Sequence, residues 1–260
     1  MFELIDKRIR RAFSDAAIQY DVLTSLHKEI GRELVAKINQ IDSAEHILDI
    51  GMGTGWLTNR LTFFFPDSKV VGIDFADGMI ECARKKFEEI KIVQADARAL
   101  PFKPQAFDLA VSNLAYQWMR DLPHAFSGIN NILKENGKFI FTMFGEQTLK
   151  ELFESIEKNA VSKNGHSLIS RSPSLAEVEA ALKRAGFREV KSDYEIIKVH
   201  FPDMLDLLKW IRDIGANSVE SDVFLGKDLL NRANQHYETH FKDRLGIRAT
   251  FEVLWLEARK

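Results

Sequence analysis

The sequence predicts an α/β fold built on a mostly parallel, doubly wound sheet, and three observations support this prediction. An apolar, strand-like run ends in an acid and a glycine-rich turn, ILDIGMGTGWL, at 47–57, which is typical of a nucleotide-binding strand-to-helix junction. Strand-like runs then alternate with helical patterns, as in parallel sheets. The chain has 260 residues, 45% of them hydrophobic, which suffices for one such domain with appended helices.

Two helices are predicted before the sheet, because apolar residues recur at helical spacing over 5–16 and 23–38. The first five strands are predicted at 46–50, 69–74, 91–94, 107–113 and 137–143. Helical patterns between the early strands, such as the one over 77–87, predict the crossover helices of a parallel sheet.

The remaining elements complete a seven-stranded sheet with helices on both faces. Helices are predicted near 147–161 and 174–185, the second opening at Ser174, and strands near 189–199 and 249–258. Residues 200–247 carry helical patterns around 203–213 and 226–240. This segment is too long for a hairpin loop, so we expect a helical insertion before the last strand that packs over the binding crevice.

Composition narrows the classes of function. A net charge of -2 argues against nucleic-acid binding, which usually needs a broad basic surface. Cys82 is the only cysteine, so an internal disulfide and a cysteine-based metal site are excluded, and no metal is expected. The sequence shows neither a signal-peptide pattern nor a transmembrane run. We therefore expect a cytoplasmic protein that binds no membrane, and its oligomeric state is left open.

The glycine spacing of the 47–57 turn indicates the kind of ligand. Gly51 and Gly53 leave backbone accessible to a ligand, and Gly55 allows the next helix to approach the strand. A dinucleotide fingerprint needs its third glycine at the position of Trp56. The pattern that starts at Asp49, acid-x-G-x-G-x-G, resembles instead the first motif of class I S-adenosylmethionine-dependent methyltransferases. A glycine-rich turn without a ligand is the plain alternative.

That resemblance implies a Rossmann-like class I methyltransferase domain that spans 1–260. Its parts would be an N-terminal helical lid at 1–42, a cofactor-binding half at 43–145 and a substrate-side half at 146–260. The implied cofactor is S-adenosyl-L-methionine, and the product is S-adenosyl-L-homocysteine.

Acids that end successive strands should meet at one crevice, because ligands of such sheets bind beyond the carboxyl ends of the strands. Asp49, Asp74 and Asp96 meet this condition. Asp74 can accept hydrogen bonds from both ribose hydroxyls of an adenosine, and Asp96 from the adenine amino group. Ala97 would meet the ring edge, and Met79 would cover an adenine face. Each residue alone could equally be a helix cap, a turn residue or part of the core.

The end of the predicted strand 107–113 contributes further candidates: Asn113, Leu114 and Gln117. Here a methyl donor and its acceptor would meet, and the resemblance implies that the backbone of Asn113 and Leu114 holds the methionine part. Asp108 lies at the opposite end of the strand, so we assign it a role in a turn.

Segments outside the common core resemble one subfamily, the malonyl-[acyl-carrier-protein] O-methyltransferases that begin pimeloyl synthesis for biotin. The segments are AFSDAAIQYD at 12–21, SNLAYQW at 112–118, FTMFGEQTLKEL at 141–152 and WIRDIGAN at 210–217. The resemblance covers nearly the whole chain, although the terminal TFEVLWLEARK is similar in pattern only. It implies methylation of the free carboxylate of a malonyl thioester on acyl carrier protein or coenzyme A.

This reaction predicts the chemistry of the acceptor side. A carboxylate is already ionised near neutral pH, so we expect no acid/base pair. A cation must recognise it, and the candidates are Arg171, Lys209 and Arg212, of which the arginines offer bidentate geometry. Each could instead be a solvated surface charge.

Aromatic residues could enclose the site. Tyr20, within the subfamily-like AAIQYD segment, is expected in a lid over the cofactor, and Trp118 in the wall of the acceptor pocket, although an aromatic residue after a strand is often core. His27 lies two helical turns after Tyr20 if the helix is continuous, and we interpret it as a packing residue.

Acyl carrier proteins are acidic, so the partner predicts a local basic surface. Two clusters are candidates: Lys7, Arg8, Arg10 and Arg11, and Lys183, Arg184 and Arg188.

Three other functions remain open on the sequence. One is methylation of another small carboxylate, such as an aconitate-like acid. A second is NAD-dependent oxidoreduction, which Trp56 and Asp96 oppose. A third is a protein-partner or assembly role without methyl transfer.

Overall fold

The structure is a computed structural model that describes residues 2–38, 41, 43–160, 172–216 and 226–260. Its helices are α1 (Phe2–Leu23), α2 (Ser25–Ile38), α3 (Trp56–Phe64), α4 (Asp77–Lys86), α5 (Leu122–Ile132), α6 (Lys150–Asn159), α7 (Leu175–Arg184), α8 (Met204–Asp213) and α9 (Lys227–Phe241). Its strands are β1 (His46–Ile50), β2 (Lys69–Asp74), β3 (Lys91–Gln94), β4 (Phe107–Asn113), β5 (Leu133–Phe144), β6 (Glu189–Phe201), β7 (Lys242–Asp243) and β8 (Gly246–Arg259). A short 3-10 helix covers Tyr116–Trp118.

The strands form one sheet in the order β3-β2-β1-β4-β5-β8-β6, and the two-residue β7 pairs with β8. Neighbours from β3 to β5 are parallel, whereas β8 is antiparallel to both β5 and β6. The predicted mostly parallel, seven-stranded α/β sheet is confirmed, with β7 as a short addition.

The first four strands begin and end where they were predicted, but later strands are longer. The last pair is in register from Glu189 opposite Arg259 to Phe201 opposite Ile247. Each added residue gains a partner on the neighbouring strand, and that partner is distant in sequence. Local patterns therefore underestimated the length of both strands.

The sheet is covered on both faces, as predicted. Successive residues of a strand point to opposite faces, so Ile47 packs with the α2, α3, α6, α8 and α9 side, whereas Leu48 packs with α5 and α7. Both side chains are fully buried. No helix in the described part of the chain is long and apolar enough to cross a membrane.

Helix α1 is longer than the predicted 5–16 segment and packs along α4. Arg10 forms a bidentate ion pair with Asp77, from Nη2 to Oδ1 at 2.9 Å and from Nε to Oδ2 at 3.2 Å. The Ser14 hydroxyl accepts a hydrogen bond from the Gly78 amide at 3.3 Å. A Cβ at position 78 would lie 2.3 Å from the Ser14 carbonyl oxygen, so this approach requires glycine.

On its other side α1 contacts α8. The Trp210 indole donates a hydrogen bond to the Leu23 carbonyl at 2.8 Å. Gly215, at φ +80°, lies against Ala12, where a Cβ would be 2.9 Å from the carbonyl oxygen. Helix α1 therefore lies between α4 and α8, above the carboxyl ends of the parallel strands.

Candidate active site

The glycine turn after β1 is held by contacts from two directions. Gly51 has φ +69°, and a Cβ there would lie 2.5 Å from the Ala115 side chain. The Gly53 amide donates to the Asp74 carboxylate at 2.9 Å. Gly53 has φ +56° and open space where a side chain would stand, with Tyr20 at 4.0 Å. The turn thus presents bare backbone toward α1.

A cleft of ≈830 Å³, open to solvent, lies between this turn, the ends of β2 and β4, and the inner side of α1. The structure brings together here ten of the residues that the sequence proposed: Tyr20, Gly51, Gly53, Asp74, Met79, Asp96, Ala97, Asn113, Leu114 and Trp118. We call this space the larger cleft.

Asp74 is buried at the floor of the larger cleft. One carboxylate oxygen accepts from the Ala76 amide at 2.8 Å, and the other from the Gly53 amide at 2.9 Å. Burial raises the pKa of this carboxyl, and the backbone amides oppose the rise. Asp74 therefore fixes the glycine turn, and each oxygen keeps a further lone pair for a ligand.

Asp96 is bound by Arg98, a residue that no sequence pattern indicated. Arg98 donates to it from the backbone amide and from Nε, each at 2.9 Å. Burial alone would raise the pKa of Asp96, but these hydrogen bonds hold it below its usual value. The same guanidinium reaches Asp6 of α1 at 2.7 Å. Arg98 thereby joins the rim of the larger cleft to α1.

A second space of ≈480 Å³, which we call the smaller cavity, adjoins the larger cleft. Tyr20, Gly51, Gly53 and Asn113 line both spaces. The residues that line the smaller cavity alone include Thr24, His27, Lys28, Asp49, Thr54 and Trp56.

The smaller cavity contains one acid with an unused oxygen and one cation. The Thr58 hydroxyl donates to Asp49 Oδ2 at 2.6 Å, whereas the buried Oδ1 has no partner among the described residues. Burial raises the pKa of Asp49 to about 7, although the Thr58 hydrogen bond opposes the rise. The Lys28 ammonium donates to the Asp21 carbonyl at 2.7 Å. A positive group beside Asp49 would stabilise its ionised form.

His27 packs among aromatic rings, as interpreted from the sequence, but it also lines the smaller cavity. Its ring centre lies 6.0 Å from that of Tyr20 and 5.7 Å from that of Phe144. Burial lowers the pKa of His27 to about 4, so the imidazole is neutral at pH 7. The helix is not continuous between Tyr20 and His27, because α1 ends at Leu23 and α2 begins at Ser25.

The end of β4 connects α2 to the sheet. The Asn113 side chain donates to the His27 carbonyl at 3.0 Å and accepts from the Thr142 hydroxyl at 2.9 Å. The next residue, Leu114, has φ +54°, an unusual value for leucine that ends the strand. Gln117 donates to the Leu114 carbonyl at 2.7 Å. Gln117 thus stabilises the turn after β4, and it lines neither space in the described structure.

Gly55 also stays outside the lining of both spaces. It has φ +83°, and a Cβ there would lie 2.8 Å from Ile90. Its nearest side chains are Ala83 of α4 and, in the segment after α4, Phe87 and Ile90, so this close approach differs from the expected one between α3 and β1.

Lys209 and Arg212, the predicted acceptor-side cations on α8, line neither space in the described structure. Both side chains are exposed on α8, and Arg212 pairs with Asp213 at 2.9 Å. Helix α8 turns Leu207 and Trp210 inward, and helical periodicity points residues 209 and 212 away from them. Arg171, the third candidate, lies outside the described residues.

The two basic clusters lie at different edges of the sheet. Lys183 and Arg184 form the last turn of α7, directly before β6, whose first residue pairs with the last residue of β8. That last residue of β8, Arg259, also pairs with Lys138 in the amino-terminal half of β5. This cluster therefore lies at the end of the sheet where the parallel strands begin, which we call the amino edge. The larger cleft lies at the other end, the carboxyl edge, and the other cluster lies on α1.

The chain resembles known methyltransferases along its length. Residues 48–141 match a family described as "Methyltransferase domain". A crystal structure from Thermotoga maritima, described as an S-adenosylmethionine-dependent methyltransferase and possible histamine N-methyltransferase, superposes with a TM-score of 0.58. The superposition covers 96% of this chain and 99% of the Thermotoga maritima chain at 19% identity. The two proteins therefore share the same fold.

Two curated relatives specify the family further. A biotin biosynthesis bifunctional protein of Saccharophagus degradans is 32% identical over 256 residues, which are 95% of this chain and 45% of the relative. The malonyl-[acyl-carrier protein] O-methyltransferase of Geobacter sulfurreducens is 33% identical over 264 residues, covering 97% of this chain and 98% of the relative. With this identity over almost the whole of both chains, the protein belongs to the malonyl-[acyl-carrier protein] O-methyltransferase family.

Proposed function

We propose that this protein transfers a methyl group from S-adenosylmethionine to the free carboxylate of malonyl-acyl carrier protein, at the start of pimelate and biotin synthesis. The products are the malonyl methyl ester and S-adenosylhomocysteine. The observation that carries the proposal is the smaller cavity, where Asp49 and Lys28 of opposite charge adjoin the larger cleft. The alternative substrate is another small carboxylate.

The side chains that line the two spaces fit the amino-acid end and the adenosine end of this cofactor. In the smaller cavity, the unpaired Asp49 oxygen suits an ammonium and Lys28 suits a carboxylate, which together make the end of an amino acid. In the larger cleft, Asp74 suits the paired hydroxyls of a ribose and Met79 an adenine face. S-adenosylmethionine, when bound, supplies an electrophilic methyl group on a sulfonium sulfur.

The residues of the chain would act by positioning and by excluding water. A malonyl carboxylate is ionised at neutral pH and needs no base to attack a methyl group, so alignment is the main contribution of the protein. Tyr20 lies where the two spaces meet, and burial raises its pKa, so its hydroxyl stays protonated. This hydroxyl can therefore donate to an acceptor oxygen.

The wall around Tyr20 is aromatic. Phe13 contacts Trp118 at 5.3 Å between ring centres, and His27 contacts Phe144 at 5.7 Å. Such a wall keeps water from the reacting atoms. Lys28 and Arg98 are the cations that line the two spaces within the described residues, and Arg98 is already bound by two acids. Arg171 therefore remains our candidate for binding the malonyl carboxylate.

The decisive experiment is intact-mass analysis of malonyl-carrier protein incubated with the enzyme and S-adenosylmethionine. We expect a single methyl addition on the malonyl group. Acetyl-carrier protein, which lacks the free carboxylate, is the control and should stay unmodified. Parallel reactions test malonyl-coenzyme A and free small carboxylic acids.

Methylation of free acids alone would favour the small-carboxylate alternative. If no acceptor is methylated although calorimetry shows cofactor binding, the proposed reaction is wrong and the non-methylating partner role gains support.

A further inference from the structure

Helix α1 has two faces of different composition. The inner stripe, Ile9, Phe13 and Tyr20, lines the larger cleft. The outer stripe follows the same helical spacing half a turn away. We call it the outer face of α1, and it consists of Lys7, Arg8, Arg11, Asp15, Ile18 and Val22, all exposed.

The outer face has a basic half and an apolar half. Arg8 and Arg11 lie in the first half, and the Arg11 side chain is 85% exposed at 3.7 Å from Asp15. Ile18 is 85% exposed and Val22 is 82% exposed, and they are neighbours one helical turn apart. They are the most exposed large hydrophobic side chains of the described residues.

We propose that the outer face of α1 is the docking surface for an acidic carrier protein that presents the acyl substrate. This inference rests on the proposed function. The basic half complements the charge of the carrier, and the apolar half supplies the water-free contact that specific interfaces place at their centre.

The position of the outer face supports this assignment. A helix is ~10–12 Å across, so a carrier seated on the outer face lies about one helix diameter from the cleft that the inner stripe lines. The thioester arm of a carrier is long enough to cover that distance. The second basic cluster fails this requirement, because Lys183 and Arg184 lie at the opposite edge of the sheet.

An anionic membrane is the other partner that a basic and apolar helix face can attract. The inner side chains Ile9, Ala16 and Ala17 are buried against the protein, so only Ile18 and Val22 remain to insert. Membrane-surface helices need a much broader apolar face, and the carrier is therefore the better match.

The test measures KM for two substrates that share the malonyl thioester: malonyl-carrier protein and malonyl-pantetheine, which has neither protein nor phosphate. In the variant Arg8→Glu/Arg11→Glu we expect KM for malonyl-carrier protein to rise about tenfold at low salt. The rise should shrink at high salt because of screening. Both kcat and KM for malonyl-pantetheine should be unchanged.

Two further variants separate charge from apolar contact. Lys183→Glu/Arg184→Glu makes the same change in net charge at the amino edge of the sheet, and it should leave KM for both substrates as in the parent. Ile18→Ser/Val22→Ser should raise KM for malonyl-carrier protein about threefold or more, with little dependence on salt.

An unchanged KM for malonyl-carrier protein in Arg8→Glu/Arg11→Glu would overturn the proposal, and so would an equal rise in the Lys183→Glu/Arg184→Glu control. Binding of the parent to phosphatidylglycerol vesicles, lost in the outer-face variants while KM is unchanged, would assign the surface to a membrane instead. Failure of the parent to methylate either malonyl-carrier protein or malonyl-pantetheine would contradict the proposed function. The docking proposal would then be tested by fluorescence anisotropy of labelled malonyl-carrier protein. Equal affinity for the parent and for Arg8→Glu/Arg11→Glu would reject the proposed docking surface.

Discussion

The two edges of the sheet each hold a carboxylate at the end of a strand, and these carboxylates differ in their partners. At the amino edge, Asp108 accepts from the His46 amide at 2.9 Å and from the Lys134 ammonium at 3.0 Å. At the carboxyl edge, Asp49 accepts from Thr58 and keeps one buried oxygen without a partner in the described structure. One acid is satisfied by the fold, and the other is not.

The pKa values of the two acids follow from this difference. Burial raises the pKa of both groups, but for Asp108 the hydrogen bonds from Lys134 and His46 outweigh burial and lower it. Asp49 has no cation as partner among the described residues, and burial raises its pKa to about 7. A buried polar group without a partner costs free energy. We therefore propose that a ligand, rather than the fold, satisfies Asp49.

The largest expected effect is on cofactor affinity in Asp49→Asn. Loss of one partner of a buried charged pair costs about 2–3 kcal/mol, so we expect S-adenosylhomocysteine to bind ~30- to 150-fold more weakly by calorimetry. Asp108→Asn is the matched control and should bind as the parent does. An Asp49→Asn affinity within about threefold of the parent would remove Asp49 from the ligand site.

In the ligand-free protein, Asp49→Asn should raise the free energy of unfolding, although it weakens cofactor binding. The folded pKa of Asp49 is about 7, above its ordinary value of 3.8, so the native state binds more protons than the unfolded state between these values. The free energy of unfolding therefore falls as pH rises from 4 to 7.

Asp49→Asn removes that loss, and we expect it to be about 1–3 kcal/mol more stable than the parent at alkaline pH. The gain should fade toward pH 4 in urea denaturation. A constant difference across the pH range would contradict the assignment of the raised pKa to Asp49.

Asp74→Ala should weaken binding of S-adenosylhomocysteine by about 1–3 kcal/mol, because two ribose hydrogen bonds are lost. Adenosine alone should lose affinity to the same extent, whereas Asp49→Asn should bind adenosine normally. Competition binding measures both. Unchanged adenosine affinity in Asp74→Ala would disprove the ribose assignment.

The smallest effect is expected at the amino edge. Asp108→Asn should lower the free energy of unfolding by about 1 kcal/mol at pH 7, since it weakens a partly exposed ion pair. Asp108 has a lowered pKa, so this contribution is present above its unfolded pKa and is lost in acid. Denaturation at neutral and acid pH tests it, and a loss that persists in acid would indicate a role other than ionisation.

Much of the fold could be predicted from local sequence. Strand β1, with its buried run and its glycines, and helix α7, with a capping box from Ser174 to Glu177, stand where the patterns placed them. The pairing of β6 with β8 joins residues far apart in sequence, and its extent could not be read from either segment alone. The residues of the larger cleft were predicted better than those of the smaller cavity, because glycines and strand-ending acids follow a recognisable spacing.

The fold class, the acids at the strand ends and the resemblance to one methyltransferase family follow from the residues alone, because periodicity and motif spacing are local properties. Which charges meet depends instead on the tertiary structure. It turned Lys209 and Arg212 to solvent, brought His27 and Lys28 into the smaller cavity and left one buried oxygen of Asp49 without a hydrogen-bond partner among the described residues. Helix orientation and burial determine which groups can pair with a charged side chain, and both depend on contacts between residues that are far apart in sequence.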